Sequence, residues 1–402
     1  MRRKVMLQEG KAPELSQEDR LFLEKRRQEG DPYRDKIRGC LLGGAAGDAL
    51  GYPVEFLSWS GIQARYGARG IQEYELDMET GFALISDDTQ MTLFTANGIL
   101  LRETRGMTRG IAGPPSGYVR EMYKDWLLTQ TGGVRGKDSL SWLMDIPELY
   151  SRRAPGGTCL SALGAGEWGS VEHPINDSKG CGGVMRVAPM GLRYGPGKGW
   201  SREELDMEGA EIAALTHGHS LGYIPAAVLV HIVNVGVYGG CPRGGTLPDA
   251  VEDAMNTAQR LFGGDPHWGE LRALISRAEA LAENSAPDEE NIRALGQGWV
   301  AEETLAIAVY CALRYQDDFS KGVIAAVNHG GDSDSTGAVT GNILGAWLGY
   351  ETIEEKWKRN LELRKVILEM ADDLCYGCPL KEYHEDRDLR WLRKYVEGRY
   401  HA

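Results

Sequence analysis

The stretch Val327–Tyr350, VNHGGDSDSTGAVTGNILGAWLGY, carries two separate signals. Its first half sets Asp332 and Asp334 one residue apart among glycine, serine and threonine. Its second half is small and apolar, with Gly337, Gly341, Gly345 and Gly349 at every fourth position. On an α-helix, residues four apart form a nearly straight ridge. A ridge of glycines lets a neighbouring backbone approach closely. Each such glycine costs about 1 kcal/mol against alanine in a helix interior. A second ridge stands near the start of the chain, where GCLLGGAAGDALG places Gly39, Gly43, Gly47 and Gly51. Two ridges predict two buried helices that cross at close range, and with them a helical core.

The rest of the chain agrees. TQMTLFTANGILLRE, EGAEIAALTHGHSLGYIPAAVLVHIVNVGVYG and AEETLAIAVYCALRYQ all repeat apolar residues at three- and four-residue spacing. Alternating strand patterns are nearly absent. Breaks are expected at 102–117 and 262–269, which are rich in glycine and proline, and at the acidic stretch AENSAPDEENIRALG. None of them separates regions of different composition. The expected fold is all-α: one compact globular helical domain over residues 33–402, with a short N-terminal extension over residues 1–32. In that extension Ser16, with Asp19 three residues on, reads as a helix start, and Leu21, Phe22 and Leu23 are its few apolar residues.

Composition narrows the function. The chain has 402 residues, 42% hydrophobic and 26% charged, ordinary values for a globular enzyme. A net charge of −13 argues against a general polyanion binder, so no nucleic-acid partner is expected. No apolar run reads as long enough to span a bilayer, so no membrane partner is expected. The start lacks the apolar core of a secretory signal. The seven scattered cysteines read as reduced thiols, which points to the cytoplasm.

The aspartates remain to be explained. GDSDSTG is not an EF-hand loop, because Thr336 and Ile343 occupy its fifth and twelfth positions. One such cluster alone reads as a helix cap, with Asp and Ser satisfying free N–H groups. A second cluster changes that reading. ISDDTQMTLF sets Ser86, Asp87, Asp88 and Thr89 at the start of another helical run. Two acidic helix starts brought together would gather four carboxylates and several hydroxyls, which require cations. Oxygen-only donors select Mg²⁺, Mn²⁺ or Ca²⁺ over zinc. Two such ions can polarise a substrate oxygen and activate a water.

Six motifs in one order, GCLLGGAAGDALGYPVEF, ISDDTQMT, KGCGGVMRVAPMGL, THGHSLGY, GWVAEETLAIAVYC and VNHGGDSDSTGAVTGNILGA, span roughly residues 37–349. Together they resemble the ADP-ribosylglycohydrolase family, including its bacterial dinitrogenase-reductase-activating members. The resemblance implies an all-α domain whose cleft holds two divalent cations, Mg²⁺ or Mn²⁺. It implies Ser86, Asp87, Asp88, Asp332, Asp334 and Ser335 as metal ligands. Serine at 86 and 335 stands where the family usually has threonine, which keeps the hydroxyl and loses a methyl. Glu55 matches the acidic residue at the family's catalytic cleft, and Glu55 and Asp88 are the two candidates for the catalytic base. Ser178, Gly180, Gly182, Gly183 and Met185 match a diphosphate-binding loop, with Cys181 where some members have asparagine. His217 would line the ribose or diphosphate side. The implied activity is release of ADP-ribose from a modified protein, arginine-linked first.

Other signals are weighed against this. GHSLG (218–222) has the form of a serine-hydrolase nucleophile elbow at Ser220, which needs a strand before it. A non-catalytic ADP-ribose binder is the other alternative, and the retained Asp87, Asp88, Asp332 and Asp334 argue against it. Cys375, Cys378 and His384 lack a fourth zinc ligand, and GPGKGWS has the wrong spacing for a phosphate loop. Residues 1–32 would suit docking onto a cognate ADP-ribosyltransferase, as in an immunity protein that both blocks and reverses a toxin.

Overall fold

A computed structural model describes residues 32–195, 197, 199–242, 244–380 and 388–400. The expected helix near Ser16 and the docking role of residues 1–31 lie outside the described residues, as does His384. In chain order the helices begin with α1 (Arg34–Gly51), α2 (Trp59–Tyr66), α3 (Asp87–Arg109), α4 (Pro115–Gln130), α5 (Gly157–Gly164) and α6 (Ala188–Arg193). There follow α7 (Arg202–Ala214), α8 (Ser220–Tyr238), α9 (Leu247–Phe262), α10 (Trp268–Ala282), α11 (Asp288–Leu295) and α12 (Ala301–Arg314). The last are α13 (Phe319–Val327), α14 (Ser333–Leu348), α15 (Glu355–Lys358), α16 (Arg364–Tyr376) and α17 (Leu389–Tyr395). Among the described residues there is no strand, only isolated bridges between Ala83 and Leu361 and between Gly180 and Val300. The fold is all-α.

The two glycine ridges do meet. A Cβ built at Gly39, Gly43 or Gly47 of α1 would overlap the carbonyl oxygen of Gly345, Gly341 or Gly337 of α14, and the reverse substitutions collide in the same way. One index rises as the other falls, so the helices are antiparallel. Asn342 fastens the contact by donating from Nδ2 to the Cys40 carbonyl at 2.9 Å. The ends depart from a simple four-by-four ridge. Gly51 lies against the Ser333 carbonyl, and Gly349 is the C-cap of α14, with φ 89° beside the Asp35 carboxylate. This register sets the end of α1 against the start of α14, which brings residue 55 to residues 332–335.

Helix α8 corrects one expectation. It is 19 residues long with mean hydropathy 1.7, so by length and composition it could cross a bilayer. Every one of its residues is buried among other helices instead. Its polar residues have protein partners: His231 Nδ1 meets Asp206 at 2.7 Å, and Asn234 Nδ2 donates to the Gly191 carbonyl at 3.0 Å. Two expected breaks are also partly helical. Helix α3 continues to Arg109 and ends on Gly110 in the left-handed region, so the true break is 110–114. The acidic stretch contains α11, whose first turn carries Asp288, Glu289 and Glu290 at the helix end that favours negative charge. The expected break at 262–269 is present between α9 and α10.

Candidate metal centre

Three chain segments converge. The last turn of α1 and the short turn Tyr52–Val54 carry Asp48 and Glu55. The N-terminus of α3 carries Ser86, Asp87 and Asp88. The N-terminus of α14 carries Asp332, Asp334 and Ser335. Both helix starts turn their positive dipole ends toward acidic residues. Between the segments lies a cleft of about 360 Å³, bordered by Glu55, Asp87, Asp88, Asp332, Asp334 and Ser335. The site residues expected from two distant motifs are thus in one place.

Asp48 makes the convergence possible, and sequence reasoning missed it. It is fully buried. Its carboxylate accepts the Ser86 N–H at 3.0 and 3.1 Å and the Thr89 N–H at 3.1 Å, and it also accepts the Thr89 hydroxyl. It therefore ties the start of α3 to α1. Burial, followed by the nearby Asp334, pushes its carboxyl up to about 7 against those hydrogen bonds. The available signal was an acid inside an otherwise small and apolar run, which is unusual without a partner.

Ser86 lies beneath the cleft. Its Oγ accepts the Asp88 N–H at 3.2 Å as the N-cap of α3, and its hydroxyl favours the charged form of Asp334. Asp87 accepts the Gly156 N–H at 3.3 Å. The Ser335 N–H is shared by Asp332 at 3.2 Å and Asp334 at 3.0 Å. Glu55, Asp332 and Asp334 each present a carboxylate oxygen within 4.8 Å of the others. Glu55 Oε2 and Asp88 Oδ2 are buried with no hydrogen-bond partner among the described residues.

The electrostatics are strained without a countercharge. Burial, then Asp334, Asp332, Asp87 and Asp48, pushes the Glu55 carboxyl up to about 10. Burial, then Asp334, holds Asp87, Asp88 and Asp332 well above the usual carboxylate range. Asp334 is raised by burial as well. Among the described residues, no lysine or arginine borders the cleft. Like charges at this range cannot all ionise unless something positive joins them. An all-oxygen donor set with two orphaned carboxylate oxygens fits hard divalent cations such as Mg²⁺ or Mn²⁺.

The opposite wall is the loop before α6. Gly180, Gly182 and Met185 border the cleft with His217. Ser178 sits just behind, its Oγ 3.2 Å from that of Thr158, a cleft residue. Gly183 does not border the cleft, since a Cβ there would meet the Gly222 carbonyl oxygen at 2.7 Å, so its small size serves packing. The Cys181 N–H is taken by the Trp299 carbonyl at 3.2 Å, which leaves it unavailable to a ligand and anchors the loop. The Cys181 thiol is held well above its ordinary range by burial, then by Asp332 and Asp88.

His217 is buried, and its Nδ1 lies 2.8 Å from the Thr216 hydroxyl. Burial, then the Arg186 charge, pushes its pKa down to about 3, so it is neutral at physiological pH. Arg186 is fully buried over the Tyr123 ring at 4.6 Å and donates to Thr216 Oγ1 at 2.7 Å, which fixes the turn that carries His217. Ser220 is the first residue of α8, and the element before it is the helix α7. The strand–turn–helix that an elbow requires is absent there, and the serine-hydrolase alternative falls with it. Phe56 and Trp299 at the rim were also missed, because single aromatics in loops carry no periodic signal.

Comparison with known proteins gives the same picture. The sequence pattern described as ADP-ribosylglycohydrolase matches residues 29–383. ADP-ribosylhydrolase ARH3 of Bos taurus is 30% identical over 350 residues, covering 81% of this chain and 88% of that protein. ADP-ribosylarginine hydrolase Tri1 of Serratia proteamaculans (strain 568) is 25% identical over 361 residues, covering 87% and 81%. A solved structure titled ADP-ribosylglycohydrolase-related protein complex superposes with a TM-score of 0.57 at 25% identity, covering 86% of this chain and 97% of that one. With its acidic cleft and its helical fold, the chain belongs to the ADP-ribosylglycohydrolase family.

Proposed function

We propose that the protein is a metal-dependent hydrolase that releases ADP-ribose from ADP-ribosylated arginine side chains of proteins. The observation that carries this reading is the set of five buried carboxylates, two with orphaned oxygens, in a cleft that no cationic side chain among the described residues borders. Arginine is favoured because the Serratia proteamaculans relative is named an ADP-ribosylarginine hydrolase. The reaction adds water across the bond between the ribose anomeric carbon and the guanidine nitrogen. The hydroxyl goes to carbon and the proton to the departing nitrogen.

Asp87, Asp88, Asp332, Asp334 and Ser335 would hold two cations, Mg²⁺ or Mn²⁺, with Ser86 joining from beneath. When bound, the cations supply Lewis-acid polarisation of ribose hydroxyls and water. Glu55 Oε2 and Asp88 Oδ2 are the carboxylate oxygens open to move a proton. Gly180, Gly182 and Met185 shape the diphosphate side with small side chains and backbone, and neutral His217 adds a polar contact without charge. Buried walls exclude bulk water and strengthen each of these interactions.

Release of ADP-ribose from arginine-ADP-ribosylated protein should require Mg²⁺ or Mn²⁺ and stop on chelation. Asp87→Ala and Asp334→Ala should each lower kcat/KM by about a hundredfold or more, with an unchanged helical circular dichroism spectrum. Near-wild-type turnover in either variant under excess Mg²⁺ would overturn the metal centre. Faster release from serine-linked substrate would overturn the arginine assignment and leave the hydrolase standing.

A further inference from the structure

We infer that the turn at residues 73–82, together with Phe56, is the surface that receives the modified protein, and that it takes an apolar segment of basic character next to the leaving side chain. The inference rests on the hydrolase reading above and names how the macromolecular half of the substrate is bound.

Four observations support it. First, a second cavity of about 370 Å³ adjoins the cleft, and Phe56 and Ala154 border both. Phe56 directly follows Glu55, so a side chain leaving past Glu55 emerges at Phe56. Second, Phe56 is 74% exposed and stacks on Trp299 at 5.8 Å, forming an uncovered aromatic rim. Third, the neighbouring turn presents Leu76, Met78 and Phe82 to solvent, at 41%, 100% and 45% exposure. Leu76 borders the second cavity. Large apolar side chains gathered in this way mark interaction surfaces. A ligand no larger than ADP-ribose and one side chain has no use for apolar contacts outside its cleft.

Fourth, the turn is built to hold its shape. The Asp77 N–H donates to the Phe82 carbonyl and the Gly81 N–H to the Asp77 carbonyl, both at 2.8 Å, and Asp77 Oδ2 accepts the Thr80 N–H at 2.9 Å. The Ala83 N–H is fixed to the Asn360 carbonyl at 2.8 Å, three residues before Ser86. The apolar residues are therefore held in a fixed relation to the acidic start of α3. Charge sets the character of the partner. Glu73, Glu75 and Glu79 are exposed between the apolar residues. Glu75 is paired with Arg65 at 2.6 Å, and Glu73 shares a cavity with Lys356 and Arg359, whereas Glu79 and Glu73 have no ion-pair partner among the described residues. A basic, apolar segment complements this surface, and an acidic one is repelled.

The test compares two substrates of one chemistry, arginine-ADP-ribosylated histone and free ADP-ribosyl-arginine. The combined variant Leu76→Ser, Met78→Ser, Phe82→Ser changes only exposed side chains. It should raise KM for the histone about tenfold and leave kcat/KM for the free conjugate within about twofold. Glu73→Gln with Glu79→Gln should raise histone KM in the same direction and weaken its salt dependence. Equal losses on both substrates, or no change on the histone, would overturn the inference. Wild-type action on the free conjugate but not on the histone would overturn it and spare the hydrolase reading. Action on neither substrate would overturn both the inference and the arginine assignment on which it rests.

Discussion

At the residue scale, the acids on the cleft surface depend on one beneath it. Asp48 accepts two backbone N–H groups and a hydroxyl from the start of α3. Asn at this position would turn an amide N–H₂ toward donors that now meet an oxygen, leaving a buried donor without an acceptor. Asp48→Asn should therefore shift the Mg²⁺ concentration for half-maximal activity upward by about 10–100-fold, read by titrating activity with Mg²⁺. An unchanged half-saturation would show that Asp48 does not support the centre. The contrast between Asp48 and its neighbours explains what could be read from the residues. Asp87, Asp88, Asp332 and Asp334 stand in two recognisable clusters at helix starts, so their shared chemistry was visible, although only the fold shows them together. Asp48 sits inside a glycine ridge and is identified only by its partners. Gly183 shows the reverse: it belongs to the loop motif, yet its surroundings make it a packing residue.

At the scale of elements, the antiparallel pair α1 and α14 decides where the acids fall. The glycine spacing revealed the pair, because a four-residue repeat of glycines has little use except close approach. Register was not readable. It depends on which carbonyl each glycine meets, and Gly349 proved to be the cap of α14, set against Gly39 and Asp35 of α1 rather than against a glycine carbonyl of its own. The boundaries of α3 and α11 were also missed, since glycine and proline content was weighed above local helix signals. A single methyl group tests the pair. Gly43→Ala and Gly341→Ala each drive a Cβ into a backbone carbonyl that cannot move without shifting its helix. Each should destabilise the protein by about 1–3 kcal/mol. Gly269→Ala on α10 meets nothing within 4 Å and lies at an exposed helical position. It should stabilise by about 0.5–1 kcal/mol. Thermal melts of the three variants read the opposite signs directly, and a melting temperature raised by Gly43→Ala would refute the close crossing.

At the scale of the whole molecule, the cluster couples stability, pH and cation. Glu55 has a folded pKa of about 10 against an ordinary 4.5, and Asp48 about 7 against 3.8. For both, the folded chain holds protons that the unfolded chain has already lost. Their contribution is fully present below the ordinary values and declines as pH rises through the folded ones. His217 acts on the acid side. Its folded pKa of about 3 lies below the ordinary 6.5, so its contribution is lost as pH falls from about 6.5 toward 3. Metal-free protein should accordingly melt at a higher temperature near pH 5.5 than at pH 8. A bound divalent cation replaces those protons as the countercharge, so it competes with them at low pH and not at high pH. Mg²⁺ at about a hundred times its dissociation constant adds roughly 2.7 kcal/mol of stability. The melting temperature at pH 8 should therefore rise by about 3 °C, with a clearly smaller rise at pH 5.5. Differential scanning calorimetry with and without Mg²⁺ at the two values decides the matter. Equal shifts at both would mean that the cation binds where no protons are displaced, away from the five carboxylates. No shift at either would mean that the cleft binds no Mg²⁺.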